Sequence, residues 1–125
     1  MSDLNISTRE NGGVIVVDLV GRIALGETSA KLHEKLRELV NAGNSRILIN
    51  LAEVTTIDSS GLGTLVAGYT TVEKAGGDMK LVNLTERVSE LMTITKLYTV
   101  FEIFDDEKAA INSFTKSGES TTAAV

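Results

Sequence analysis

Cysteine is absent from this sequence, which excludes disulfides and thiolate metal sites and fits a reducing compartment. Proline is absent too, so no proline-rich linker divides the 125 residues, a length that suits one domain around one core. Aromatic residues make up only 4%, so the core has to be built from Val, Leu, Ile and Ala. No Lys/Arg cluster offsets the net charge of −5, which argues against nucleic acid as a partner. No run approaches the ~18 apolar residues that span a bilayer, and "MSDLNISTRE" lacks the layout of a signal peptide. The expectation is a soluble, cytoplasmic protein with no direct membrane insertion.

What is present is an alternation of strand and helix patterns. "LNISTREN" and "VIVVDLVG" (Val14 to Gly21) flank the turn signal Asn11-Gly12-Gly13 and read as a hairpin. From about Thr28 to Asn41 the spacing of Leu32, Leu36, Leu39 and Val40 is helical, with Thr28 or Ser29 as cap and Gly43 as stop. "RILINL" (Arg46 to Leu51) and "MKLVNL" (Met79 to Leu84) read as buried parallel strands. Between them a helix carries Leu62, Leu65, Val66, Tyr69 and Val72 and stops at Gly76-Gly77. A short helix with Val88, Leu91 and Met92 precedes a strand at Val100 to Phe104. Asp105 or Asp106 then caps a last helix that ends near Phe114, with Glu107 in its first turn. These patterns predict a single α/β domain over 1–114, a mixed, mostly parallel sheet with about four helices packed on it. The remainder, 115–125, has no core-forming residues and is expected to be a mobile tail.

The chemistry-bearing stretch is "TTIDSSGLGTLV", Thr55 to Val66. A serine-nucleophile elbow needs Gly-x-Ser-x-Gly, but Ile57 stands two residues before Ser59, so only Gly61 matches. A hydrolase also needs a base, and His33 sits on the charged part of the first helix, where a solvated surface role outweighs a catalytic one. A dinucleotide fingerprint fails because Val66 replaces its third glycine, and no Gly-Lys-Ser/Thr run marks a P-loop. The remaining reading places Asp58 at the end of a loop and Ser59 or Ser60 at the start of a helix, where free N–H groups favour an anion. Capping alone needs only one such residue. Gly61, Gly63, Ala67 and Gly68 come next, and each glycine costs about 1 kcal/mol against alanine in a helix. Close approach to the sheet or to a partner would compensate, and the sequence leaves both open.

Asp-Ser-Ser-Gly-Leu-Gly, the later Gly-Gly and the "KLVNL" strand together resemble the STAS domain of bacterial anti-sigma factor antagonists, from about Val14 to Phe114. The resemblance implies a module that works by binding, with no catalytic residues, cofactor or metal. Its implied partner is an anti-sigma factor serine kinase, a histidine-kinase-like ATPase. That kinase would phosphorylate the hydroxyl directly after the motif's acid, which is Ser59 rather than Ser60. A serine phosphatase would reset the phosphorylated form. Asp58, Ser59, Ser60, Gly61, Leu62 and Gly63 are the implied partner-binding residues. Two positions depart from the family pattern: Ala24 and Asn50 stand where acids are common. A STAS accessory subunit of a membrane transporter ATPase is the alternative reading of the same fold, and a small hydrolase using Ser59 is the alternative from another class.

Overall fold

The chain makes its first turn with two glycines. Asn11 pairs with Val14 across Gly12 and Gly13, whose φ values of +59° and +83° suit the tight turns that match strand twist. In this computed structural model, which describes residues 4–24 and 26–114, that turn joins β1 (Leu4–Asn11) to β2 (Val14–Ile23) as the expected antiparallel hairpin. The expected tail, 115–125, lies outside the described residues.

Helix α1 (Glu27–Asn41) leads to β3 (Arg46–Ile57), α2 (Ser59–Lys74), β4 (Asp78–Val82), α3 (Glu86–Thr95), a 3-10 turn at Leu97–Thr99 and β5 (Ile103–Phe104). A last helix, α4, occupies residues 107–114. The five strands form one sheet in the order β1-β2-β3-β4-β5, parallel from β2 onward. Strand side chains alternate between faces, so Val17, Leu19, Ile47, Ile49 and Leu81 pack with α1, α2 and α3. The opposite face offers Val14, Val16, Leu48 and Val82 to Ala110, Ile111 and Phe114 of α4. Lys80 also points to that side, only 3% exposed, with its ammonium 2.9 Å from Ser113 Oγ and 4.6 Å from the Phe114 ring centroid.

Several expected boundaries move. Helix α1 is capped by neither Thr28 nor Ser29: Gly26, at φ +93°, takes the cap position. Thr28 Oγ1 instead hydrogen-bonds both the N–H and the carbonyl of Ala24, 2.9 Å each. Strand β4 stops at Val82 because Asn83 turns to φ +59°. The strand expected over Val100 to Phe104 shrinks to two residues, Ile103 and Phe104. Val100 and Phe101 N–H both donate to Leu97 O, and this turn drops Phe101 into the core, edge-on to Tyr69 at 5.3 Å. Asp106 is the cap of α4, accepting from Ala109 N–H at 2.9 Å.

Arg9 ties α4 to the hairpin. Its guanidinium donates to Asp18 (2.7 and 3.2 Å) and to Glu107 (2.7 and 2.8 Å), while Asn11 Nδ2 also donates to Glu107 at 2.9 Å. The hydrogen bonds from Arg9 hold the Glu107 carboxyl down at about 2 and Asp18 below its ordinary value. Both are depressed pKa values, so their stabilisation is complete above the ordinary carboxylate range and is lost as pH falls toward 2. Arg9→Ala should therefore lower the melting temperature at pH 7 and converge with the parent near pH 2. The offset should be small, since Arg9 is 43% exposed. Thermal melts from pH 2 to 7 measure this, and an offset independent of pH would mean Arg9 acts by packing alone.

Candidate functional site

Strand β3 delivers the motif. It is longer than its apolar run predicts, continuing past Leu51 to Ile57, and its last pair with β4 is Asn50 opposite Val82. Beyond that point it pairs only with β2 and carries an extra residue twice, between Asn50 and Glu53 and between Val54 and Thr56. Bulges of this kind bend and twist a strand and re-aim the residues beyond them.

Asp58 then ends the extended chain at φ −101° and caps α2, its Oδ1 accepting from Gly61 N–H at 2.8 Å. Its own N–H reaches Ile23 O at 3.3 Å, which ties the motif to the end of β2. Ser59 is the first residue of the helix and is exposed; Ser60 comes next, half-buried. Both serines thus lie in the first turn, whereas the residue pattern alone suggests Ser59 at the loop border. The Ser59 hydroxyl has no hydrogen-bond partner among the described residues. Next to Ser60, Thr64 Oγ1 donates to the Ser60 carbonyl at 3.0 Å and accepts from Ser29 Oγ at 2.6 Å, joining α1 to α2.

The glycines separate by role. A Cβ at Gly61 would lie 2.4 Å from Ile23 O and 2.8 Å from Ile57 Cγ1, so only glycine lets α2 start against the sheet. A Cβ at Gly68 would meet only the tip of the Leu36 side chain, where α2 crosses α1. Gly63 has nothing within 4 Å and faces solvent. Close approach to backbone therefore requires glycine at 61, side-chain packing fills the space at 68, and nothing in the domain fills it at 63. Leu62 is 4% exposed and Gly61 is buried, so these two hold the motif in place, while Asp58, Ser59, Ser60 and Gly63 present surface. His33 is half-buried on α1 and is not hydrogen-bonded to Ser59.

Sequence reasoning missed one set of polar residues below the motif. Asn50 Nδ2 donates to Asp18 Oδ1 at 2.7 Å, and Asn50 Oδ1 accepts from Ala52 N–H at 3.1 Å and Asn83 Nδ2 at 3.3 Å. The one signal for it is Asp18 itself, a lone acid inside an apolar strand, since a half-buried carboxylate needs donors. Among the described residues no helix is long and apolar enough to cross a membrane.

Residues 5–110 match the model of the STAS domain family. The anti-sigma-B factor antagonist of Bacillus subtilis (strain 168) is 36% identical over 101 residues, covering 81% of this chain and 91% of that protein. Among solved structures, an anti-sigma factor antagonist from Mycobacterium paratuberculosis superposes with a TM-score of 0.75 at 22% identity, over 88% of this chain and 92% of that one. The Bacillus cell fate determinant SpoIIAA in its phosphorylated form superposes with a TM-score of 0.68 at 18% identity, over 88% of this chain and 99% of its own. At these identities the two structures speak to fold.

Proposed function

This chain belongs to the STAS domain family, and from that membership we propose that it is an anti-sigma factor antagonist controlled by phosphorylation of Ser59. The observation that carries the reading is the Ser59 hydroxyl: exposed, free of partners among the described residues, and first in a 16-residue helix directly after an acidic cap. A hydroxyl in that place can be reached by another protein's active site. The chain itself acts by binding. Its partner is an anti-sigma factor serine kinase of the histidine-kinase-like ATPase class, which it draws away from a sigma factor in the cytoplasm. Asp58, Ser59, Ser60 and Gly63 form the contact surface, and Gly61 and Leu62 set its height above the sheet.

In the phosphorylation step Ser59 Oγ attacks the γ-phosphorus of ATP, the bond to the ADP oxygen breaks, and the hydroxyl proton passes to a base of the kinase and on to solvent. The phosphate adds about −1.5 to −2 charges. In the free protein those charges sit at the positive end of α2, worth roughly 0.3–1 kcal/mol. Docked, they would be desolvated beside the Asp58 carboxylate. A phosphatase hydrolyses the ester and restores binding. Treated with its kinase and ATP, the protein should gain one phosphate, on Ser59 and not on Ser60. Phosphopeptide mapping reads this, and an unmodified Ser59 after exhaustive treatment would falsify the reading.

A further inference from the structure

We infer that Asn50 positions the acceptor end of β3, and that it must be an amide to do so. Asn50 is the last β3 residue flanked by strands on both sides, and the first extra residue enters directly after it. Its two ends do opposite work. The Nδ2 group donates to Asp18 Oδ1 at 2.7 Å, and Oδ1 receives the Ala52 N–H at 3.1 Å, inside the bulge. An ionised carboxylate supplies acceptors only, whereas the amide offers a donor and an acceptor at this spacing, and the partners fix which end is which. The Asn83 side chain bonds the same Oδ1 at 3.3 Å from the turn that ends β4. One side chain therefore holds the point where β3 leaves β4 and sets out toward Asp58 and Ser59.

A carboxylate at position 50 would keep the acceptor and lose the donor. It would also face Asp18 at hydrogen-bond distance. Arg9 on β1 is already bonded to both Asp18 on β2 and Glu107 on α4, so a third carboxylate would have to share its charge. Ala24 shows no comparable link, since its contacts with Thr28 run through the backbone.

The importance of this placement for signalling rests on the Ser59 reading above; the placement itself does not. Amide hydrogen exchange on the full chain tests it. In Asn50→Asp, exchange should accelerate at least about tenfold over residues 52–61, the equivalent of one pKa unit of carboxylate repulsion, relative to residues 46–49. The exchanged pair Asp18→Asn with Asn50→Asp returns a donor from the other strand and should restore protection over residues 52–61 to the level of Asp18→Asn alone, which shares the loss of the Arg9 ion pair. Phosphorylation of Ser59 should slow and recover in the same order. Parent-like protection in Asn50→Asp, or a rise spread evenly over the whole sheet, overturns the inference. So does a double variant that fails to recover, which also decides the matter if the single variant does not fold. If Ser59 is never modified but the exchange pattern appears, the functional reading fails and the role of Asn50 stands.

Discussion

Phosphorylated on Ser59, the protein should bind its anti-sigma partner at least about a hundredfold more weakly than the unmodified form. A charge buried without a partner in an interface costs about 3–5 kcal/mol, and each 1.4 kcal/mol is about tenfold in affinity. Asp58 makes the position worse, because its carboxylate is fixed one residue away by the Gly61 N–H. Ser59→Ala should bind as the unmodified protein does and resist the kinase, acting as a permanent antagonist. Ser59→Asp should fold normally, since a carboxylate is tolerated at a helix N-terminus, and should lose only part of the affinity because it carries one charge. Isothermal calorimetry on the phosphorylated, unmodified and substituted proteins separates these outcomes. Equal affinity of the first two would sink the switch.

Leu65→Ala should cost about 2–5 kcal/mol of folding stability, the range for emptying a well-packed leucine site. Leu65 is fully buried at the centre of α2, in the same core as Leu32 and Leu36 of α1 and Ile49 and Leu51 of β3. Chemical denaturation measures the loss, read from the midpoint at constant slope. Val20→Ala, on a 43% exposed strand position, provides the control and should stay within about 0.5 kcal/mol. A cost for Leu65→Ala as small as the control's would mean α2 is not anchored through this residue.

The fold is largely legible in the sequence because its signals are local. The two-glycine turn, the leucine spacing of α1 and the apolar runs of β3 and β4 each decide their own element. The failures come where distant residues decide. Nothing local in "VFEIF" says that Phe101 will leave the strand to meet Tyr69, thirty-two positions earlier. Nothing in "LAEVTTI" marks a strand, because Ala52, Glu53 and Thr55 are exposed and its pairing is supplied by β2 alone. At the site, Asp58 as cap and Ser59 as a helix-first hydroxyl can be approached from residue chemistry. Asp18 signals only that a donor is needed; its partner Asn50 cannot be read, since the link spans thirty-two positions and exists only once β2 and β3 lie side by side. Glu107 reads from sequence as a first-turn acid suited to the helix dipole, and its partners Arg9 and Asn11 lie nearly a hundred positions away.

Gly63 lies one turn along α2 from Ser59, with open space where a methyl group would go. Alanine would fit there, and the helix would gain about 1 kcal/mol. The domain is thus held below its attainable heat resistance at the very turn proposed to receive a partner. Any programme that ranks variants by melting temperature would favour a methyl group at this spot, on the surface proposed above to meet a partner. At Gly61, where a methyl group would collide with the Ile23 carbonyl, the same substitution would cost stability instead of adding it.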